Sequence, residues 1–218
     1  MRLISKILFV LALCLLVMAW YLHQSAKATM NRNWTPLQQA VQVKRGVVLS
    51  SAFEVDFDDF YEVSLDVERT LPIERTNCLL AIETGLETVK LERCRDVTPI
   101  GEVKWSLYDG EKLVSSGTSI GTGTGRWGAT ISRDIGRFQG VAHTKYVLRV
   151  ESSSDAAELN RANPRIVVSV NVMSFKTAFT SAGLANLASL VFAVLGSITL
   201  ITITLVAIRR KKQPSGLA

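Results

Sequence analysis

The sequence predicts an all-β domain, an antiparallel β-sandwich of seven to eight strands, flanked by N- and C-terminal transmembrane helices. Three observations predict it. Uncharged apolar runs stand near both ends, basic residues lie outside both runs, and apolar and polar residues alternate through the middle.

The first run, Ile7 to Leu22, reads ILFVLALCLLVMAWYL, and the second, Leu187 to Ile208, reads LASLVFAVLGSITLITITLVAI. At ~1.5 Å per residue the second makes a helix of about 33 Å, enough for a hydrocarbon core of ~30 Å. The first is shorter and needs its polar flanks to help it span. Arg2 and Lys6 precede the first run, and Arg209 to Lys212 follow the second. Basic flanks stay in the cytoplasm, so both ends place the intervening chain on the extracytoplasmic side.

Charge by region removes one function class. The chain carries a net +6, yet all 19 acidic residues lie between Glu54 and Glu158, and residues 29–180 are net −1. A nucleic-acid binder concentrates its basic surplus on the domain face. Here the surplus sits at the ends, so nucleic acid is not an expected partner.

The expected organisation is a cytoplasmic n-region (residues 1–6), a signal anchor (7–24), a tether (25–44), the sandwich (45–175), a second transmembrane helix (183–208) and a basic cytoplasmic tail (209–218). Ala26-Lys27-Ala28 is also an A-x-A-like signal-peptidase site. Cleavage after Ala28 therefore stays open beside retention, and Trp20 and Tyr21 favour retention as an interfacial belt. Leu11-Ala12-Leu13-Cys14 lacks the small residue that a lipoprotein signal places before its cysteine, so Cys14 is read as membrane packing.

Alternation marks the strands. Phe53, Val55 and Phe57 alternate with Glu54, Asp56 and Asp58, and Tyr61, Val63, Leu65 and Val67 with Glu62, Ser64 and Asp66. Val103, Trp105 and Leu107 lead through an Asp109-Gly110 hairpin turn into Lys112 to Ser116. Tyr146, Leu148 and Val150 form another strand, and Ile166, Val168, Val170 and Val172 the last. Cys78 to Glu83 and Trp127 to Ser132 complete the set. Thr35-Pro36 predicts a short helical turn through Val41, and Ser154 caps a second over 155–162 that Asn163-Pro164 stops.

Gly136-Arg137-Phe138, then Gly140, then Tyr146 ahead of an alternating strand, resembles the tyrosine corner of immunoglobulin-like sandwiches. The resemblance covers about fifteen residues and implies a Greek-key, immunoglobulin-like arrangement. The Cys–Trp–Cys order of immunoglobulin domains is not matched, because Trp105 follows both cysteines.

Candidate chemistry is sparse. Cys78 and Cys94 lie in a compartment where disulfides persist and predict a structural bridge. Asp56, Asp58 and Asp59 belong to the densest acidic run. They read as a solvated strand face or a docking surface for a basic partner, because a calcium loop wants a tight glycine bend. Gly121-Thr122-Gly123-Thr124-Gly125 lacks the Gly-Lys-Ser/Thr of a phosphate loop and reads as a loop or bulged edge, with Arg126 and Trp127 at its end as ligand contacts. Ala185, Ser189, Ala193 and Ser197 recur every four residues, a spacing that allows close helix contact within the chain, with a second copy or with another protein. His143 is the lone histidine of the domain, and the Gly-x-Ser-x-Gly pattern is missing. No metal or cofactor is expected.

The expectation is a membrane-anchored, non-enzymatic binding or adaptor module that engages a protein or glycan, with an inhibitor or immunity protein as one version. The expected address is a bacterial inner membrane with the domain in the periplasm. One alternative is an accessory subunit contacting a larger membrane assembly through its helices. Another is an extracytoplasmic hydrolase, using His143 with Asp134 or a pair of carboxylates.

Overall fold

In a computed structural model of the chain, residues 2–82, 94–120 and 125–212 are described. They divide into two compact units, a pair of terminal helices and the body Asn33–Ser174.

Helix α1 (Arg2–Met30) and helix α3 (Val172–Lys212) are both long and apolar enough to cross a membrane. They pack antiparallel. Ala12, Ala19 and Ala26 of α1 are buried, and so are Ala182, Ser189 and Gly196 of α3. Each step of seven along α1 is matched by a step of seven back along α3. The Ser189 hydroxyl donates to the Ala19 carbonyl at 2.8 Å, and His23 Nδ1 meets Asn186 Oδ1 at 3.2 Å. A Cβ on Gly196 would stand 3.0 Å from Leu16 and 3.2 Å from the Ala12 carbonyl. Small residues at heptad spacing let the backbones approach this closely.

The body holds nine strands among the described residues, in two antiparallel sheets. Sheet A has the order β1 (Leu37–Ala40), β9 (Arg165–Val170), β3 (Asp59–Glu68), β7 (Thr130–Gly140), β6 (Gly125–Trp127). Sheet B runs β2 (Gly46–Glu54), β8 (Lys145–Ser152), β4 (Val103–Asp109), β5 (Lys112–Thr118). Alternation sends Tyr61, Val63, Leu65 and Val67 of β3 inward to meet Leu107, Leu148 and Val150 of sheet B in one core. That is a sandwich, with helix α2 (Ile73–Leu79) beside it.

Trp105 ties the two sheets together. Its ring lies against its cross-strand neighbour Gly117, and its Nε1–H reaches the Ile135 carbonyl at 2.9 Å. Ile135 is available because β7 bulges there, Val63 pairing with Gly136 and Ser64 with Asp134.

Several local expectations are corrected. Residues 37–40 form β1 rather than a helical turn after Pro36, because pairing with β9 gives their main chain partners. Cys78 and Leu79 end helix α2 instead of opening a strand; the 78–83 reading otherwise extends to Glu83, outside the described residues. Strand β2 stops at Glu54, and Val55 to Asp58 turn the chain toward β3. Val172 starts α3 rather than closing β9. The expected helix over 155–162 shrinks to a 3₁₀ turn at Leu159–Ala162, which Asn163 ends in a left-handed conformation (φ 49°). Gly136 to Gly140 belong to β7, and the corner lies just beyond, at residues 141–144. There the Val141 N–H donates to the Tyr146 hydroxyl at 3.2 Å as the chain passes from sheet A to sheet B. Residues 213–218 of the tail and residues 121–124 of the glycine-rich loop lie outside the described residues.

Candidate functional site

The outward face of sheet A is built by the same alternation that builds the core. With Tyr61, Val63, Leu65 and Val67 inside, β3 presents Glu62, Ser64, Asp66 and Glu68 outward. Arg165 and Ser169 of β9, Ser132 and Asp134 of β7, Arg126 of β6 and Gln38 of β1 join them by register. One rung runs straight across four strands, Arg126–Ser132–Asp66–Arg165.

The two arginines of that rung are drawn away from each other along the strands. Arg126 pairs with Glu62 Oε2 at 2.6 Å and Asp134 Oδ1 at 3.1 Å, and Asn171 Nδ2 donates to the other Glu62 oxygen at 2.7 Å. Arg165 pairs with Glu68 toward the opposite end, where Asn163 Nδ2 also donates to Glu68 Oε2 at 2.8 Å. Between them Asp66 Oδ1 accepts the Ser64 hydroxyl proton at 2.6 Å, and Ser64 is fully buried. A cleft of about 380 Å³ lies over this floor, with Gln38, Thr130 and Asn163 among its walls. That size falls in the ~300–1,000 Å³ range of small-molecule sites. Rigid strands supply every floor residue, so the arrangement is pre-organised.

The residues singled out from the sequence go to different places. Arg126 enters the cleft. Trp127 borders it from the end of β6, and its indole N–H donates to Asn77 Oδ1 of α2 at 3.1 Å. Cys78, the next residue of α2, is disulfide-bonded to Cys94 with a Cα–Cα distance of 5.5 Å. Asp56, Asp58 and Asp59 fasten the turn between β2 and β3. Asp56 accepts from the Asn33 N–H at 2.9 Å, Asp58 from the Ala142 N–H at 2.8 Å, and Asp59 from the Ser174 hydroxyl at 3.0 Å. Burial pushes the neighbouring Tyr61 phenol up to about 12, and the negative charges of the three aspartates add to the shift. Of the helix stripe, Ser189 lies in the α1–α3 seam, Ala185 and Ala193 are half-buried, and Ser197 is exposed.

His143 sits in the 141–144 turn at φ +60°, its N–H bonded to the Val55 carbonyl at 2.7 Å. It follows the far end of β7 from the cleft. Asp134 and Gly140 alone are ~20 Å apart along an extended strand, so the structure does not bring His143 to Asp134. No group of three or more His, Cys, Asp or Glu arranged to hold a metal ion is present among the described residues.

Sequence reasoning missed Glu62, Asp66, Glu68, Ser132, Asp134 and Arg165 as a constellation. The signal available for it was the polar phase of β3 itself, four hydrogen-bonding residues at every second position.

A second surface lies on the outer face of sheet B. Ala52, Val147, Tyr108 and Leu113 pair in one row across all four strands, and Leu113 and Val114 are exposed on edge strand β5.

No protein-family model and no curated protein matches the chain. Among solved structures, it is similar to the crystal structure of a protein from Sulfurospirillum deleyianum. That likeness covers 63% of this chain and 98% of the other, at 11% identity and a TM-score of 0.49.

Proposed function

We propose that this protein is a membrane-anchored, non-enzymatic binding module whose ligand site is the cleft on the outer face of sheet A. Both terminal helices cross the membrane, a bacterial inner membrane, and the sandwich stands in the periplasm. Two apolar helices, basic residues outside both and a disulfide in the body support that placement. The β7–β8 corner pinned on Tyr146 supports a Greek-key, immunoglobulin-like reading of the sandwich.

One observation carries the functional reading: polar side chains on four adjacent rigid strands converge on a cleft of ligand size. The ligand is a glycan or a protein segment. In-cell photocrosslinking from Trp127 at the border of the cleft, replaced by the similarly bulky benzoylphenylalanine, tests the site. The expected result is a discrete adduct that the same probe at Lys104 on sheet B does not give. Identical patterns from both positions would refute the assignment. A reporter fused near Asp109 tests the topology and should face the periplasm.

The runner-up is an accessory subunit of a larger assembly, which the apolar row ending in Leu113 and Val114 favours. Exchange of α3 for an unrelated apolar helix separates the two, because a tethered module keeps its ligand and a helix-docked subunit loses its assembly.

A further inference from the structure

We infer that the cleft takes an uncharged polyhydroxylated ligand, a neutral oligosaccharide, held on Asp66 and Ser132. This rests on the proposal that the cleft is the ligand site.

The charge pattern selects the ligand. Of the charged side chains lining the cleft, Arg165 is neutralised by Glu68, and Arg126 by Glu62 and Asp134. Neither guanidinium is left as a counter-ion, so an anionic ligand gains nothing that offsets its desolvation. Because the two arginines lean in opposite directions along the strands, the middle of the rung is open. There lie Asp66, whose Oδ1 is already engaged by Ser64, and the Ser132 hydroxyl beside it. Asp66 forms no ion pair among the described residues, and a carboxylate accepts at up to about four lone-pair sites. Around this floor stand groups that donate and accept at once, Thr130, Gln38 and Asn163. A ligand that matches them offers many hydroxyls, each donor and acceptor, and no negative charge. A protein segment fits less well. Its hot spots want a desolvated apolar centre, and on the outward face of β9 Arg165 and Ser169 flank the single apolar residue Val167.

The test uses the full chain in phosphatidylcholine nanodiscs, since maltoside and glucoside detergents are themselves sugars. Saturation-transfer NMR is run with neutral tetrasaccharides of β-linked glucose, β-linked N-acetylglucosamine and α-linked mannose, and with an acidic galacturonate tetramer. At least one neutral probe should receive saturation, and the galacturonate should not. Asp66→Asn keeps an acceptor for Ser64, so the sheet is retained, and it should weaken the binding by about tenfold or more. Thr130→Tyr, which fills the wall without touching Asp66, should abolish it. Leu113→Ser on the other sheet should leave it unchanged. Silence from all three neutral probes, equal binding of the galacturonate, or an Asp66→Asn variant that binds like the parent would each overturn the inference. The two proposals fail separately. A protein adduct from position 127 with no sugar response removes the glycan and keeps the cleft, whereas neither adduct nor response removes both.

Discussion

Replacing Gly136 with alanine should be among the most damaging single changes in the body, although it adds one methyl group. The ideal Cβ at this position stands 2.1 Å from Trp105 Nε1 and 2.2 Å from Cε2. Side chains in a close-packed core do not tolerate such contacts, so the indole must retreat by roughly 1 Å or the strand must move. Room for retreat is small, because the backbone of Gly117 runs so close to the ring that even a Cβ there would lie 2.8 Å from the same nitrogen. Overpacking of this kind costs ~1–3 kcal/mol. If the ring swings out it also abandons the Ile135 carbonyl, and an orphaned buried acceptor costs ~1–3 kcal/mol more. The expected loss is therefore about 2–6 kcal/mol, a large fraction of the ~5–15 kcal/mol that holds a typical domain. Amide hydrogen exchange of β4 and β7, read on the full chain in detergent, measures it as faster exchange in both strands together. Trp105→Leu, itself destabilising, should cost much less in the Gly136→Ala background than alone. An alanine variant within ~0.5 kcal/mol of the parent, or a double-mutant cycle with no coupling, would show that Trp105 does not bridge the sheets as described.

Three further outcomes are expected. Tyr61 keeps its proton to about 12 when folded but loses it near 10 when unfolded, so its contribution is complete below pH 10. That contribution is lost as pH rises toward 12, up to about 2.7 kcal/mol; a tyrosinate titration should show a late phenol coupled to unfolding that the Tyr61→Phe variant lacks. Replacing Cys78 and Cys94 with serine should cost about 3 kcal/mol by the chain-entropy estimate and raise exchange in α2 first, read by the same method. Gly196→Leu should separate α1 from α3, seen as loss of a disulfide between cysteines placed at Ala19 and Ser189 in a Cys14→Ser background.

What the sequence made legible was whatever rests on local alternation. β3, β4 and β8 fall where the period-two pattern puts them, because each buries one face and exposes the other. The errors share a cause. β1 has little amphipathic signal of its own and exists through its pairing with β9, a partner more than a hundred residues away. Val55 and Phe57 continue the alternation of β2, yet the chain turns there because Asp56 and Asp58 find main-chain N–H groups from other segments. Cys78 carries no period at all, and the helix around it is set by tertiary contacts such as the Leu79 carbonyl accepting from Ile100.

The helix pair and the cleft make the same point about spacing. Ala185, Ser189, Ala193 and Ser197 form a tidy four-residue stripe in sequence, but close contact of two long helices follows a heptad, and the buried positions are Ala182, Ser189 and Gly196. One residue belongs to both patterns, and only the partner helix shows which period matters. On sheet A, Arg126 stood out as a loop-end arginine beside a tryptophan, yet what gives it a role is Glu62, 64 residues earlier, and Asp134 across the β6–β7 pair. Fixing that arginine to one side is what opens the floor at Asp66. A site whose selectivity comes from cations held away from its centre leaves no motif behind, because every residue that matters is ordinary until register brings the strands together.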